Sequence, residues 1–407
     1  MSLQKALGAP IRYKLWRAMH LRLIAGDLAG TSREAECDDA THLQSVIDWL
    51  CRAQDVRNSK GDAGGVSAGW SFEDGWLPSY PETSGYIIET FLAASAVMGL
   101  PDLVERAGRI IDWELSIQNE DGSFPGHFGE PDSRPVVFNT GQIMHGMLAG
   151  YVELGRAECL EAAIRAGYWL LQRQDADGCW RRNVHNGVPH TYNTRSAWAL
   201  LRAGLLAGEP KLARAAERNL GWALAQQTES GWFAMNAFTP DKAPFTHTIA
   251  YAIRGILESG LLLESERLVS AASRAALALA QRQRADGWLA GVYDDGWMPN
   301  ASYCCLTGLA QMTVIWERLA QHRGTSVLLE PIRRALTYVK KNHKMIGDGS
   351  PQDGGIAGSV PIWGRYSMFE FPNWAAKFFA DALMMQISAT AIPAEMVAAC
   401  SRVRDGV

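Results

Sequence analysis

The chain has 407 residues, of which 47% are hydrophobic and 20% charged, and its formal net charge is −4. This composition is typical of a globular protein with ample core. The balance of charge argues against a basic surface for nucleic acid or an anionic membrane, so neither is expected as a partner. No apolar run reaches the roughly 18 residues of a membrane span, and the N-terminus has no hydrophobic signal segment, which together favour a cytoplasmic location without membrane insertion.

The seven cysteines are odd in number, scattered along the chain and free of any CxxC pair. This pattern argues against a disulfide framework and against a thiolate zinc site. Cys304 and Cys305 could serve as a nucleophile or as metal ligands, and His185, His190 and His247 as zinc ligands. Free cysteine is more often a small buried hydrophobic residue, so we expect no metal and no cofactor.

Six copies of one motif, a Gln followed by a polar link, a Gly and an aromatic residue, organise the chain. Four copies are clear (QNEDGSF, QRQDADGCW, QQTESGWF and QRQRADGW), while the first (AQDVRNSKGDAGG) and the last (NHKMIGDGSPQDGG) are degenerate. Their glycines recur every 53 to 67 residues, at Gly65, Gly122, Gly178, Gly231, Gly287 and Gly354. A period of this length indicates a repeat architecture.

Each motif follows an amphipathic helix and precedes a loop and a second, more apolar helix. The apolar helices are predicted to begin at YPETSGYIIETFLAA, FNTGQIMHGMLAGY, HTYNTRSAWALLRAG, FTHTIAYAIRGILES, ASYCCLTGLAQMTVIW and FPNWAAKFFADALMM. Helices that are apolar on all sides are buried, so the pattern predicts six inner helices inside six outer ones. The predicted fold is an all-α (α/α)6 toroid at residues 45–385, with a helical lead-in at 1–44 and a C-terminal tail at 386–407 packed on or near it.

The order of elements in each repeat places all six long loops at one end of the ring. The N-termini of the inner helices then surround one central cavity at that end. Because the positive ends of the helix dipoles converge there, the cavity favours an anionic ligand.

The motif strings carry a resemblance to known families. The Gln-Gly-Trp turns resemble the repeats of squalene-hopene cyclases and protein prenyltransferase β subunits. The string of SYPETSGYIIETFL, FNTGQIMHG, HTYNTRSAWALL, FTHTIAYAIRGILE, SYCCLTGLAQM and IWGRYSMFEFPNWAAKFFADAL is similar to bacterial proteins found with exopolysaccharide biosynthesis genes. This second resemblance covers roughly residues 45–385, and it implies the toroid fold and a role in exopolysaccharide metabolism.

The chain departs from the better-known relatives at their catalytic motifs. Hopene-type cyclases use a DxDD acid, and the nearest strings here, FEDGW and YDDGW, lack that spacing. The zinc ligands of prenyltransferase β subunits and the Gly-rich and Cys-His strings of lanthipeptide cyclases are also unmatched. A terpenoid cyclase-like enzyme is therefore kept as an alternative.

Two neighbouring repeats bring His, Tyr and Arg to the predicted cavity. His247, Tyr251 and Arg254 stand at i, i+4 and i+7 on one face of the fourth inner helix. The preceding repeat supplies a second set at the mouth of the third inner helix, made up of His190, Tyr192, Asn193 and Arg195.

These residue types suit proton removal next to a carboxylate. Removing the proton alpha to a uronic acid carboxylate requires groups that neutralise the carboxylate, such as Asn193 with Arg195 or Arg254. It also requires a base near the carbon, for which Tyr251, Tyr192 or His247 are candidates. The leading hypothesis is a lyase or epimerase that acts on an acidic or decorated polysaccharide or oligosaccharide.

Two further alternatives stay open. A glycoside hydrolase needs two carboxylates, and the candidates near loop ends are Glu82, Asp294, Asp295 and Glu370. A non-catalytic glycan-binding module would need only aromatic rings and hydrogen-bond donors. For sugar binding the sequence offers stacking rings, an amide and a cation: Trp76, Trp297, Tyr303, Trp363, Trp374, Asn139 and Lys377. The oligomeric state does not follow from the sequence.

Overall fold

The computed structural model describes residues 3–29, 37–128 and 133–391. Two N-terminal helices, α1 (Leu3–Arg12) and α2 (Ala18–Leu28), precede the ring. Twelve helices follow in the described residues, with odd numbers outside and even numbers inside: α3 (Asp39–Asp55), α4 (Pro81–Met98), α5 (Asp102–Ile117), α6 (Val137–Leu154), α7 (Ala157–Arg173), α8 (Thr194–Leu206), α9 (Pro210–Ala225), α10 (Thr246–Leu262), α11 (Glu266–Ala280), α12 (Leu306–Arg323), α13 (Leu329–Asn342) and α14 (Asn373–Ala391). The predicted tail beyond residue 391, with Cys400, lies outside the described residues.

The inner helices form a closed ring. Each of them packs against the next, and α14 packs against α4 to complete the circle. The outer helices pack on the outside, and α3 seals the junction by packing on α14. The fold is therefore the predicted (α/α)6 toroid. Within the described residues, no helix combines the length and the hydrophobicity that crossing a bilayer requires.

At or just before the start of an inner helix, a backbone N–H group donates to a backbone carbonyl in the loop of the following repeat. Five such bonds go around the ring, and the last one joins the sixth repeat to the first: Val137 to Asn183, Thr191 to Met235, Thr246 to Gly291, Leu306 to Gly358 and Asn373 to Ala68. These bonds satisfy donors that a helix start otherwise leaves unpaired, and they hold the long loops at one end of the ring.

Short strands in these loops alter two predicted helix starts. Strands β1 (Gly69–Ser71) and β2 (Gly75–Trp76) form a sheet with β5 (Glu370–Pro372), while β3 (Cys304–Cys305) pairs with β4 (Ser359–Val360). Helices α12 and α14 consequently begin after the residues that the sequence suggested. The first sheet joins the first repeat, which contains β1, to the sixth, which contains β5, and the second sheet joins the fifth repeat to the sixth.

The glutamine of the repeat motif makes the same set of hydrogen bonds in several copies of the motif. Gln174 Nε2 donates to the carbonyl of Gly178 in its own turn, at 3.1 Å, and to that of Ala215 on the next outer helix, at 2.8 Å. Arg218 Nη2 in turn donates to Gln174 Oε1 at 2.6 Å. The same triple contact recurs at Gln118 and Gln227. Each of these three motifs thus binds one hairpin to the next.

Replacing this glutamine should destabilise the ring. We expect Gln174→Ala to lower the free energy of unfolding by about 1–3 kcal/mol, because it leaves carbonyl groups unpaired at a packed junction. Chemical denaturation of the variant measures the change. The control is Gln44→Ala, since the exposed Gln44 bonds only Asp48; an equal loss in both variants would contradict the junction role.

Glycines allow the inner helices to approach one another closely. A Cβ atom at Gly146 would lie 1.9 Å from the carbonyl oxygen of Gly85 on α4. Similar collisions would occur at Gly141 with Ser196 and at Gly255 with Thr194. The close approach of these backbones narrows the lumen and fixes the residues that project into it.

Candidate active site

A cavity of about 340 Å³ opens at the loop end of the ring. We call it the upper cavity, and it is lined by residues at the starts of α4, α6, α10 and α14, by the turn before α8 and by three loops: Tyr80, Glu82, Tyr86, Phe138, Asn139, His185, Tyr192, Phe238, Phe245, His247, Thr248, Tyr251, Arg365, Tyr366, Ser367 and Trp374. Four of these helices, α4, α6, α8 and α10, begin without a side-chain cap. The predicted convergence of inner-helix N-termini on one cavity is thus present, with α12 as the exception.

Glu82 is the single carboxylate among the described residues that line the upper cavity. It projects from the first turn of α4 and is 8% exposed. The Tyr80 hydroxyl donates to Glu82 Oε2 at 2.8 Å. Burial raises the pKa of Glu82 to about 7, and the Tyr80 hydroxyl and the charge of Arg195 oppose that rise. The carboxyl group can therefore both take and give a proton near neutral pH.

The raised pKa of Glu82 predicts a pH-dependent stability. The folded protein keeps a proton on Glu82 up to about pH 7, whereas the unfolded chain loses it around pH 4.5, so unfolding becomes easier as the pH rises between these values. Glu82→Gln should remove this loss. Above pH 7 its free energy of unfolding should therefore exceed that of wild type by about 3 kcal/mol. Denaturation curves from pH 4 to pH 8 measure this difference.

Glu89 provides a control of opposite sign for this measurement. Arg202 is the main cause of a lowered pKa at Glu89, against the effect of burial, so ionised Glu89 stabilises the fold. Glu89→Gln should therefore be less stable than wild type by a constant amount above about pH 5, where the unfolded carboxyl group is already ionised, while the gain of Glu82→Gln still grows up to about pH 7. A gain for Glu82→Gln that does not change with pH would contradict the assignment at Glu82.

Two phenol groups meet at the floor of the cavity. Tyr251 and Tyr86 are buried, and neither hydroxyl has a hydrogen-bond partner in standard geometry. Burial raises the pKa of both, and each group influences the pKa of the other, so their hydroxyls lie close together. The Tyr251 ring packs 5.0 Å from that of Phe138. Both phenols therefore stay protonated, and Tyr86 interacts with the Tyr251 hydroxyl as a donor, which leaves the proton of Tyr251 for a ligand.

His247 is held as a neutral donor. Gln311 Nε2 lies 2.6 Å from its Nδ1, and burial lowers its pKa to about 3. With Nδ1 accepting from the amide, the proton resides on Nε2. The ring packs 4.2 Å from that of Tyr251, as expected for residues one helical turn apart.

Of the second predicted set, which is His190, Tyr192, Asn193 and Arg195, only Tyr192 lines the upper cavity. Tyr192 lines the upper cavity, but His190 lies behind it, stacked on its ring at 4.4 Å with Nε2 bonded to the carbonyl of His185. Asn193 is buried within the short 3₁₀ turn that precedes α8. Arg195 lies deeper in the lumen, where its Nε donates to Gln142 Oε1 at 2.8 Å.

The structure places two predicted cations away from the upper cavity. Arg254 and Lys377 line a different cavity, nearer to the C-terminal ends of the inner helices. An offset of seven residues from His247 carries Arg254 about 10 Å along the helix axis, which is enough to leave the first cavity. Arg195, Arg254 and Lys377 therefore do not form the inner surface of the upper cavity.

The predicted stacking residues fall into three places. Trp374 lines the upper cavity, where its Nε1 donates to the Tyr366 hydroxyl at 2.8 Å. Tyr303 and Trp363 line a neighbouring groove of about 720 Å³, which we call the side groove. Trp76 packs against Trp49. Trp297 is buried against Trp232, with its Nε1 bonded to a backbone carbonyl, so it is a packing residue.

The side groove continues the upper cavity. Phe238, Phe245 and Arg365 line both spaces. Arg365 is exposed and has no carboxylate within ion-pair distance among the described residues. Sequence reasoning missed it and Tyr80. Arg365 belongs to the long degenerate loop of the sixth repeat, where no helical spacing indicates which side chains face inward.

The other predicted carboxylates lie outside the cavity. Asp294 Oδ1 accepts from the backbone of Gly296 and Met298 and so stabilises a turn. Asp295 is in the same turn, and Glu370 is in β5. Across the described ranges, no three His, Cys, Asp or Glu side chains converge as metal ligands. Burial raises the pKa of Cys305 to about 12, so its thiol is not an activated nucleophile.

Residues 78–258 match the family model of the Squalene-hopene cyclase C-terminal domain, which is less than half of the chain. The chain is also 24% identical over 306 residues to the squalene-hopene cyclase of Zymomonas mobilis, an alignment that covers 70% of this chain and 44% of that enzyme. The chain thus spans less than half the length of the curated relative that it matches.

Solved structures with a similar fold are sugar enzymes. The unsaturated glucuronyl hydrolase of Bacillus sp. GL1 has a TM-score of 0.66 at 18% identity, over 84% of this chain and 96% of that one. The cellobiose 2-epimerase of Bacillus thermoamylovorans has a TM-score of 0.68 at 13% identity, over 86% and 98%. At such identities the likeness defines the fold. The chain is a six-hairpin α/α toroid, of which residues 78–258 are similar to the C-terminal domain of squalene-hopene cyclases.

Proposed function

We propose that the protein is a carbohydrate-active enzyme that transfers protons at an acidic sugar residue in the upper cavity, as a lyase or an epimerase. The observation that carries this proposal is the setting of Glu82, a buried carboxyl group that accepts from the Tyr80 hydroxyl and lines the upper cavity together with Tyr251. Hydrolysis by a pair of carboxylates needs a second one in the cavity, and the described lining offers none.

The environments of the polar groups assign their roles. Ionised Glu82 is the base that removes the proton alpha to the sugar carboxylate. Tyr251 keeps its proton and acts as the acid, giving it to the leaving oxygen of a lyase reaction or to the opposite face of the carbon in epimerisation. His247 donates from Nε2 to a substrate oxygen. Of the catalytic candidates that the sequence offered, the proposal uses Glu82, Tyr251 and His247, with His247 as a donor in place of a base, and gives Tyr192 no part in proton transfer.

The carboxylate of the sugar has donors at the cavity wall. Asn139 Nδ2 lies 3.5 Å from the Tyr80 hydroxyl, and Arg365 is an exposed cation at the mouth. The uncapped starts of α4 and α6 add positive helix-dipole ends on the same side. An anionic ring can be oriented with its carboxylate toward these donors and its apolar face on Trp374.

The side groove provides room for further sugar residues. Its volume of about 720 Å³ exceeds that of the upper cavity, and Tyr303 and Trp363 offer stacking surfaces within it. Structures of the unsaturated glucuronyl hydrolase type, including a complex whose sugar is written dGlcA-Glc-Rha-Glc, share this fold. We infer an oligosaccharide or polysaccharide substrate with its acidic residue in the upper cavity; the exopolysaccharide setting rests on the resemblance of residues 45–385.

A panel of uronate-containing oligosaccharides tests the proposal. A lyase raises the ultraviolet absorbance of a conjugated double bond, while a hydrolase of unsaturated glucuronyl ends, the reaction of the structural neighbours, lowers it. An epimerase leaves the absorbance unchanged but incorporates solvent deuterium. Binding without any of these changes across the panel would indicate a glycan-binding module and overturn the proposal.

A terpenoid cyclase is the second candidate, and the match over residues 78–258 together with the aromatic walls favours it. Aromatic faces can stabilise carbocations. However, a carboxyl group with a pKa of about 7 is a poor acid for protonating an alkene. Consumption of squalene or of a prenyl diphosphate would support this candidate, and the lack of any consumption would remove it.

A further inference from the structure

A second cavity of about 600 Å³ lies toward the C-terminal ends of the inner helices. We call it the lower cavity, and it is lined by residues of α4, α10, α12 and α14 that include Glu89, Arg254, Lys377 and Asp381. The Phe378 ring packs against those of Tyr86 and Tyr251, at 5.7 Å and 5.9 Å, at the floor of the upper cavity. The lower cavity is therefore a separate space from the proposed active site.

Arg254 has buried nitrogen atoms with no hydrogen bond. Its Nε and Nη1 are inaccessible to solvent and unpartnered, and the nearest carboxylate oxygen, Glu258 Oε1, lies 3.7 Å away. Both oxygens of Glu258 already accept from Arg318, at 3.1 Å and 3.0 Å. Arg254 is therefore held by a long ion pair with Glu258 and by the Trp198 ring, without a hydrogen bond to either.

The charges around the lower cavity are unequal in number. The ion-pair networks that reach the lining of the cavity, counted to their ends, contain four cations and three carboxylates: Arg202, Arg254, Arg318, Lys377, Glu89, Glu258 and Asp381. Arg202 pairs with Glu89, and the 2% exposed Lys377 pairs with Asp381. Once these pairs and the one between Arg318 and Glu258 are formed, the positive charge of Arg254 is left over.

Apolar side chains complete the wall of this cavity. Val97, Val314, Met384 and Met385 line it beside the charged groups. Methionine side chains adapt to apolar ligands of varied shape. A ligand that satisfies both parts of the wall carries negative charge at one end and hydrocarbon at the other.

We propose that the lower cavity binds an amphipathic oxyanion, a phosphate or carboxylate head group on a short apolar chain, with Arg254 and Lys377 contacting the head group. The guanidinium of Arg254 is part of the cavity lining and is the kind of group that binds oxyanions, and the ammonium of Lys377 adds a second positive charge. This site is additional to the one in the upper cavity and does not depend on the reaction proposed there.

Thermal denaturation of the full chain tests the site, with hexyl phosphate as the probe. Ligand that binds the folded state alone raises the melting temperature in a saturable way. We expect hexyl phosphate to do so at a concentration at least tenfold lower than inorganic phosphate or hexanol, all at matched ionic strength. Failure of hexyl phosphate to stabilise the wild-type protein, or equal potency of hexanol, would overturn the proposal.

The variant Arg254→Gln tests whether Arg254 binds the head group of the probe. Because Arg254 makes no hydrogen bond in the described protein, this variant should fold, and we expect it to lose at least tenfold in apparent affinity for hexyl phosphate. The matched control is Arg284→Gln, an exposed arginine of an outer turn that pairs with Asp286 and should keep wild-type affinity. An unchanged affinity in Arg254→Gln would place the probe elsewhere, for example in the upper cavity, and would contradict the proposal.

Discussion

Glu82→Gln should lower kcat on a uronate substrate by about 10²–10⁴, the range that a positioned general base contributes. The amide keeps the size of the side chain and can accept from the Tyr80 hydroxyl, but it cannot take a proton at neutral pH. Tyr251→Phe should cause a loss of similar size, since it removes the proposed acid while leaving the ring packed against Phe138. Steady-state kinetics on the substrate that the panel identifies measure both losses.

Two comparisons make this result specific. Binding of the same sugar to both variants should stay within a few-fold of wild type, because the stacking residue Trp374 is unchanged. Glu317→Gln is the matched control, since Glu317 is also buried and its pKa is also raised by burial, but it lies on α12 outside the upper cavity. Full activity in Glu82→Gln would remove the base from the mechanism.

Gly146→Ala should destabilise the protein by about 3 kcal/mol or more, the upper range for overpacking a core. Its Cβ atom would stand 1.9 Å from the Gly85 carbonyl oxygen and 2.7 Å from Ile88 Cδ1. A backbone oxygen cannot move aside as a flexible side chain can, so α4 and α6 would have to separate. Thermal and chemical denaturation measure the loss.

Gly108→Ala and Gly221→Ala are the controls for this prediction. Both glycines lie in outer helices, and a Cβ atom at either position would meet no atom within 4 Å. Alanine should leave stability unchanged or raise it by up to about 1 kcal/mol, because glycine is a poor helix former. A Gly146→Ala protein as stable as these two would contradict the close packing of the inner helices.

The toroid could be predicted because its physical causes are local and repeated. The Gln-Gly-aromatic motif recurs, and the helices between copies differ in hydrophobicity in the way that an inner and an outer layer require. What the sequence did not reveal is why the motif needs its glutamine, since the partner of Gln174 on α9 is about 40 residues away. Contacts between successive repeats depend on tertiary geometry that periodicity does not encode.

The site could be predicted in part. His247 and Tyr251 are one turn apart, so helical spacing correctly places them side by side. The same spacing argument failed for Arg254, because residues on one helix face can still lie at different depths of a long lumen. Arg365 and Tyr80 come from loops, where the chain direction is set by contacts with other repeats.

The pKa shifts in the upper cavity also could not be predicted from the sequence. His247 was a candidate base by residue type, but burial and the amide of Gln311 make it a neutral donor. Glu82 was one of four candidate carboxylates for hydrolysis by its position, and burial beside Tyr80 gives it a pKa suited to proton transfer. Environment, more than identity, assigns these roles.

Solvent exchange at the sugar carbon is the most direct measurement of proton transfer in the upper cavity. The protein is incubated in deuterated buffer with the uronate oligosaccharides that it binds, and the position of deuterium is read by nuclear magnetic resonance. We predict deuterium at the carbon next to the carboxylate for an epimerase, or loss of that hydrogen with formation of a double bond for a lyase, and neither change with Glu82→Gln. A bound uronate that keeps its original hydrogen throughout, or that exchanges equally fast in Glu82→Gln, would contradict this account.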